Sequence, residues 1–266
     1  KENKGKFTWT LGLYGTEPMA AEVSMTLKEY WQQIIKACYL DKKDPVREWK
    51  QLYKKLETYR KRLNKITEKT EWWHVEGKDA DLWIKNGEKR AWMGGSGRNI
   101  PSFELFTSPD WRGTKGWIRF DQPLYQYGVI VEGIELHFEK GKVSKVKAKK
   151  NQKTIEAMIA TKNANKVGEF SMTDKRFSRI TKFMAETLYD ENVGGKYGNT
   201  HIALGAAYHD CYTGDPSRVT KAGWKKLGYN DSSIHTDIVQ TTDRTITAHL
   251  KDGTTKVLFK DGMYQF

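Results

Sequence analysis

Apolar side chains recur every three or four positions in two stretches near the start of the sequence, which is the spacing of amphipathic helices. We predict a first helix over residues 26–40, opened by a capping box at Thr26. A second helix is predicted over residues 45–66, because Asp44 is a good N-cap and Pro45 suits the first turn.

From residue 72 onward the apolar positions alternate with polar ones, which is typical of half-buried strands. The predicted strands are residues 7–14 at the N-terminus, then 73–76, 80–84, 90–93, 117–120, 129–139, 143–149 and 234–239, with a terminal meander from 245 to 266. Asn86-Gly87 predicts a two-residue hairpin turn. Further helical patterns cover residues 152–162 and part of 176–188.

These elements predict an α+β fold in which two helices precede a strand-rich, barrel-like body with a mainly antiparallel or mixed sheet. We assign the N-terminal strand and the helical pair to residues 1–70, and the catalytic body to residues 71–266. Both segments are expected to belong to one domain, since 266 residues can bury a single large core.

The formal net charge of +13, from 46 basic and 33 acidic residues, raises nucleic-acid binding as an alternative. The lysines are spread along helix faces and one alternating strand and do not form a cluster interleaved with aromatic residues, so we do not expect nucleic acid as a partner. No apolar run is long enough to span a membrane. Cys38 and Cys211 lie far apart in unlike contexts, which favours free thiols and a cytoplasmic location.

Metal-binding side chains occur among apolar residues or glycines at several places. They are Glu104, Glu169, Glu191, His201, His235 and Asp237, with Tyr208 seven residues after His201. Three of them have a simpler explanation: Glu104 could pair with Arg98 or with a helix N-terminus, Glu169 could be exposed, and His201 could be hydrogen-bonded in a turn. His235 and Asp237 are two positions apart, so in a strand they would share a face.

Together these carboxylates and imidazoles are the kinds of side chain that a hydrolytic site with two divalent ions needs. Carboxylates can bridge two ions, and imidazoles favour zinc or cobalt, with magnesium or manganese as alternatives.

The sequence resembles the aminopeptidase T and aminopeptidase S family of dinuclear metallopeptidases. The resemblance extends over essentially the whole chain and is carried by the motifs at residues 98–109, 131–134, 168–170, 189–192, 201–208 and 235–237. It implies that the ligands are Glu104, Glu169, Glu191, His201, His235 and Asp237, and that Tyr208 lies in the active site. It also implies that this sequence corresponds to the catalytic C-terminal portion, without the family's N-terminal domain. The segment between Glu191 and His201 is longer here.

The expected function is removal of N-terminal residues from peptides by a metal-activated water, with Glu169 as the bridging carboxylate and Tyr208 as hydrogen-bond donor to the oxyanion. The alternatives are a weakly active or inactive metal-binding module and a basic nucleic-acid-binding protein. The aromatic stripes of the two helices also predict a homodimer, since aromatic side chains are enriched at interfaces.

Overall fold

The computed structural model describes residues 6–266. Its helices are α1 (Glu17–Glu22), α2 (Leu27–Ala37), α3 (Pro45–Thr67), α4 (Gln152–Ala160), α5 (Thr187–Asp190) and α6 (Lys221–Lys226). Short 3-10 turns occupy His209–Cys211 and Pro216–Arg218. None of the helices in this part of the chain is long and apolar enough to cross a membrane.

Most of the sixteen strands in residues 6–266 form one large antiparallel sheet and one smaller one. In chain order the strands of the large sheet are β2 (Thr70–Gly77), β3 (Ala80–Lys85), β6 (Asp110–Arg119), β9 (Glu135–Glu139), β10 (Lys142–Lys147), β14 (Thr245–Leu250), β15 (Thr255–Lys260) and β16 (Met263–Tyr264). Those of the small sheet are β5 (Glu104–Thr107), β11 (Val167–Thr173), β12 (Asn199–Gly205) and β13 (His235–Gln240). The eight-stranded sheet has the order β10-β9-β6-β3-β2-β14-β15-β16, and the four-stranded sheet has the order β13-β12-β11-β5.

Two pairs of short strands complete the architecture. They are β1 (Leu11–Gly12) with β4 (Asn99–Ile100), which are parallel, and β7 (Leu124–Gln126) with β8 (Val129–Val131), which are antiparallel. The α+β prediction with mainly antiparallel sheets is therefore confirmed. In residues 6–266 the large sheet is open, with β10 and β16 at its edges, and does not close into a barrel.

The two predicted N-terminal helices are confirmed as α2 and α3. Thr26 and Glu29 form the capping box of α2, and the Asp44 side chain accepts a hydrogen bond from the backbone N–H of Arg47 at the start of α3. The aromatic residues of α3 pack within the chain: Trp49 stacks on Phe103 at 5.6 Å, and Tyr59 stacks on Tyr264 at 5.0 Å. These helices therefore share one hydrophobic core with the sheets.

Several local predictions were wrong because tertiary contacts replaced the expected pairing. The predicted hairpin at Asn86-Gly87 does not form. The Asn86 side chain donates hydrogen bonds to the carbonyls of Thr67 and Thr70, and β3 pairs with β6, which lies further along the chain. Residues 90–93 form only isolated bridges, and residues 7–14 contain only the two-residue β1. The region 176–188 is irregular up to α5, and α1 was not predicted.

The small sheet packs one of its faces into the core. Phe170 of β11 contacts both Trp73 and Trp92, with ring centroids 5.7 Å apart in each case. Since neighbouring residues of a strand point to opposite faces, the residues on either side of Phe170 point to the other face of this sheet.

Candidate metal centre

Five of the proposed ligands lie on one face of the four-stranded sheet. Glu104 comes from β5, Glu169 from β11, His201 from β12, and His235 and Asp237 from β13. In the ladders Ala203 lies opposite Glu169 on one side and opposite Asp237 on the other. The small side chain of Ala203 therefore leaves space between these two carboxylates.

His201 has three carboxylates within 4 Å of its Nε2 atom. The distances are 3.1 Å to Glu169 Oε1, 3.3 Å to Glu104 Oε2 and 3.6 Å to Asp237 Oδ1. His235 Nε2 lies 3.7 Å from Glu169 Oε2 and 3.6 Å from Asp237 Oδ1. Glu169 thus presents one carboxylate oxygen to each imidazole.

These atoms form two overlapping groups that could each hold an ion. One consists of Glu104, Glu169 and His201, and the other of Glu169, His235 and Asp237. Glu169 is common to both, as expected for a carboxylate between two ions.

Both imidazoles are oriented by backbone carbonyl groups. His201 Nδ1 donates to the carbonyl oxygen of Glu191 at 3.1 Å, and His235 Nδ1 donates to that of Ala206 at 2.8 Å. A carbonyl oxygen can only accept, so each Nδ1 carries a hydrogen, and each Nε2 is the ring nitrogen that faces the carboxylates. This is how metal-binding histidines are usually held.

Glu191 lies beside these groups but belongs to neither within residues 6–266. It is buried, and its Oε1 atom accepts a hydrogen bond from Asn192 at 3.1 Å. Asn199 donates to the carbonyls of Glu191 and Val193, and so folds the long segment before His201 back against the site.

Tyr208 lies at the edge of the cluster. Its ring is 4.6 Å from that of His235 and 5.8 Å from that of Phe106, and 45% of the residue is exposed. Partial burial and the nearby charges of Glu169 and Asp237 raise the pKa of its hydroxyl, which therefore stays protonated and able to donate.

The carboxylates crowd together with little compensating positive charge. Burial raises the pKa of Glu104 and of Glu169 to about 8; the charge of Glu169 adds to the first shift and that of Asp237 to the second, while His201 and His235 oppose them. Burial, followed by the charge of Glu104, also raises the pKa of Glu191. Bound cations would stabilise the ionised forms.

The donor set fits divalent ions. It combines carboxylate oxygens with two imidazole nitrogens, and Asp237 Oδ1 is buried without a hydrogen-bond partner in the described chain. A buried acceptor of this kind is costly unless a ligand satisfies it. An open depression of about 410 Å³ lies elsewhere, beside the start of α3, and none of these residues lines it.

Pairing with Arg98 does not explain Glu104, and surface exposure does not explain Glu169. Arg98 forms an ion pair with Asp210 at 2.9 Å, while Glu104 accepts a hydrogen bond from Ser171. Glu169 is 3% exposed. A Cβ atom on the preceding Gly168 would lie 2.1 Å from the carbonyl oxygen of Ala206, so the close backbone approach beside Glu169 requires glycine.

Ser171 is a site residue that the sequence analysis missed. It lies two positions after Glu169 on β11 and therefore on the same face, and it orients Glu104. The period of two was the available signal, but serine is common enough in strands that this signal alone is weak.

The chain is similar to known metalloproteases and aminopeptidases. The family model described as "Thermophilic metalloprotease (M29)" matches residues 1–264. The chain is 28% identical over 251 residues to aminopeptidase T of Thermus thermophilus, covering 90% of this chain and 59% of that protein. It is 30% identical over 258 residues to aminopeptidase PepS of Streptococcus thermophilus, covering 92% and 60%.

Two solved structures are similar to this chain. That of wild-type AmpT from Thermus thermophilus superposes with a TM-score of 0.79 and 25% identity, covering 90% of this chain and 59% of that one. A dioxygenase structure from Pseudomonas putida KT2440, with a TM-score of 0.54 and 14% identity, shares only the fold. The chain thus spans about three fifths of the length of these relatives.

Proposed function

We propose that this chain, which belongs to the thermophilic metalloprotease (M29) family, acts as a metal-dependent aminopeptidase on peptides with a free N-terminus. The aminopeptidase names of its relatives support this function over a non-catalytic or nucleic-acid-binding role. The observation that carries the proposal is Glu169, whose two oxygens face one imidazole each.

Two divalent ions would be held by Glu104, Glu169, Glu191, His201, His235 and Asp237, with Glu169 shared between them. The mixed oxygen and nitrogen donors favour zinc or cobalt, with magnesium or manganese as alternatives. When bound, such ions supply Lewis acidity, which activates water and polarises a peptide carbonyl.

The chain's own residues supply orientation and hydrogen bonding. The carbonyls of Glu191 and Ala206 hold the two imidazoles, and Ser171 holds Glu104. Tyr208 keeps its proton and donates to the oxyanion that develops during attack on the carbonyl. One of the ligand glutamates carries the proton from water to the leaving amine.

Hydrolysis of leucyl and arginyl chromogenic amides tests this function. We expect turnover by the purified chain, loss of turnover after thorough chelation, and recovery on adding zinc or cobalt. Turnover that chelation does not change would refute the metal mechanism. Two bound ions without any turnover would instead favour the metal-binding module.

A homodimer and a cytoplasmic location remain part of the proposal. The helical aromatic residues pack within the chain and no longer argue for a partner, but Phe7, Leu11 and Tyr14 are 54%, 51% and 77% exposed. Exposed apolar side chains so close together in sequence favour an interface. Both cysteines are free, as in reducing compartments. Light scattering at micromolar concentration would detect the dimer; a mass of 30.8 kDa would contradict it.

A further inference from the structure

Arg244 is a buried cation in the turn between β13 and β14. The residue is 3% exposed. Its Nε atom donates a hydrogen bond to the hydroxyl of Thr200 on β12 at 2.8 Å, and Nη1 donates to the carbonyl of Thr242 at 2.7 Å. The centre of the guanidinium group lies 5.3 Å from the ring centroid of Phe259 on β15. The charge therefore lies between a strand of the small sheet and a strand of the large sheet.

The third nitrogen of this guanidinium group has nothing to bind. Nη2 is buried and has no hydrogen-bond partner in the described chain, and Arg244 belongs to none of the ion pairs in residues 6–266. Burial lowers the pKa of Arg244 to about 9, and the charges of Asp121 and Asp243 oppose that shift. The group is therefore charged at neutral pH, and a buried charge is costly unless it is paired.

The other fully buried arginine side chain shows what Arg244 lacks. Arg90 is 4% exposed, and its three nitrogens each donate to a backbone carbonyl, those of Ser108, Glu88 and Leu227. Arg244 has one carbonyl, one hydroxyl and a vacant third position. The position beside Nη2 is thus where an acceptor is missing.

The groups at this position are hydrogen-bond donors. A guanidinium nitrogen can only donate, and a hydroxyl group can donate as well as accept. Thr242 Oγ1 is buried without a partner, and it belongs to the residue whose carbonyl already binds Arg244. An anion accepts from such donors and also compensates the charge, whereas a water molecule would satisfy the hydrogen bonds alone.

We propose that Arg244 Nη2 and the Thr242 hydroxyl bind a small monovalent anion of the halide class. Thr200 and Phe259 beside the guanidinium group are fully buried, so the space between the sheets suits an ion of one or a few atoms. Asp243 in the same turn is exposed, so the turn that carries the site reaches solvent.

This site is separate from the candidate metal centre. Thr200 and His201 are consecutive residues of β12 and point to opposite faces of the small sheet. The anion would therefore lie on the face away from the ligand carboxylates. The proposal does not depend on the aminopeptidase function.

A bridging water molecule is the alternative that the experiments must separate from an anion. Gln240 lies opposite Thr200 in the β12–β13 ladder, and its Oε1 atom is also buried without a partner. Its Nε2 atom donates to the carbonyls of Asp79 and Arg119, which fixes the orientation of the amide. Water can donate to this amide oxygen while accepting from Arg244, and a halide ion cannot.

Diffraction from the zinc-loaded chain locates the ligand directly and needs no variant. Crystals would be grown without chloride in sodium bromide, and data collected at the bromine absorption edge. We expect an anomalous peak between Arg244 Nη2 and Thr242 Oγ1. No peak at that position, with a water molecule bridging Nη2 to Gln240 Oε1, would overturn the proposal.

Thermal unfolding of the zinc-loaded chain tests binding in solution. Sodium chloride is compared with sodium gluconate at equal ionic strength, because gluconate is too large for the site. An ion that binds only the folded state raises the melting temperature, and we expect a rise of about 2 °C or more in chloride. Arg244→Met should abolish this rise, and Arg218→Gln, at a side chain that is 86% exposed, should keep it.

Equal melting temperatures of the wild type in the two salts would refute anion binding. A rise that persists in R244M would place the chloride effect elsewhere, for example at the zinc ions, and would also refute the site.

Thr242→Val provides a second variant if R244M does not fold. It removes the hydroxyl but keeps the backbone carbonyl that binds Arg244. Losing one hydrogen bond to an ion should raise the half-saturating chloride concentration roughly tenfold. An unchanged chloride dependence in T242V would contradict the site as proposed.

Discussion

Ala203 lies directly opposite Glu169 across the β11–β12 ladder, and directly opposite Asp237 across the β12–β13 ladder. It therefore occupies the floor of the candidate metal centre with the smallest side chain that a strand can carry there besides glycine. Replacing it with valine places two methyl groups between the carboxylates. We expect A203V to lower metal affinity by roughly 10- to 100-fold, the range for changes next to metal ligands.

Ala248 on β14 provides the matched control, since it is also fully buried in a sheet but lies outside the site. Both A203V and A248V should lose about 1–3 kcal/mol of unfolding free energy through overpacking. Only A203V should lose metal affinity, measured by titration with zinc. Equal zinc affinity in the two variants would show that the space above Ala203 is not used.

The shared position of Glu169 predicts unequal effects on metal stoichiometry. Glu169→Gln removes a ligand from both groups, so we expect it to lose both ions. His235→Ala removes a ligand from the second group alone and should keep one ion. Mass spectrometry of metal content measures both, with His249→Ala on β14 as the control that keeps two. Loss of only one ion in E169Q would contradict a bridging role.

Tyr208→Phe removes one hydroxyl and keeps the aromatic contacts with His235 and Phe106. The lost donor should lower kcat by about 10²- to 10³-fold, as for other oxyanion donors, while KM and metal content stay near wild type. Steady-state kinetics on a leucyl amide, together with metal analysis, checks this. A kcat close to that of wild type would remove Tyr208 from the mechanism.

The ion pairs of Glu135 predict a pH dependence of the unfolding free energy that does not involve a metal ion. Hydrogen bonds from Lys147 first, then from His137 and Arg119, lower its pKa to about 2 in the folded protein. In the unfolded chain a glutamate titrates near about 4.3. Because the folded pKa is the lower one, the stabilisation is complete above about pH 4.3 and is lost as the pH falls towards about 2.

Urea unfolding of Glu135→Gln should therefore show a loss of about 1 kcal/mol at pH 7, since the half-exposed partners Lys147 and Arg119 are screened by solvent. The loss should be the same at pH 5.5 and should shrink below about pH 4. Glu139→Gln, exposed on the same strand, is the control. A loss that stays constant down to pH 3 would rule out this origin.

The sequence predicted the elements whose signals are local. The capping box at Thr26 and the Asp44-Pro45 start placed α2 and α3 to within a few residues. The hairpin predicted at Asn86-Gly87 was wrong because the Asn86 amide binds the carbonyls of Thr67 and Thr70. Nothing near Asn86 in sequence indicates those distant acceptors.

In the candidate site, too, the features with local signals could be predicted from the sequence, and those that depend on distant contacts could not. Alternation along β13 was sufficient to place His235 and Asp237 on one face. The position of Ala203 between Glu169 and Asp237 depends on the register of three strands, and the β11–β12 register shifts between Val167 and Glu169. An irregularity that depends on contact between Gly168 and the distant Ala206 carbonyl cannot be read from alternation.

The pairing of β2 with β14 has a consequence for how the chain folds. These two strands are neighbours in the large sheet, with Val75 opposite Ile246, yet every strand of the small sheet lies between them in sequence. Closing such a distant pair costs loop entropy before it gains contacts, so folding should be slow, on the order of milliseconds to seconds. On a ribosome, β14 emerges only after all four strands of the small sheet, so the β2–β14 pairing that joins the two parts of the large sheet can form only once those four strands have been synthesised.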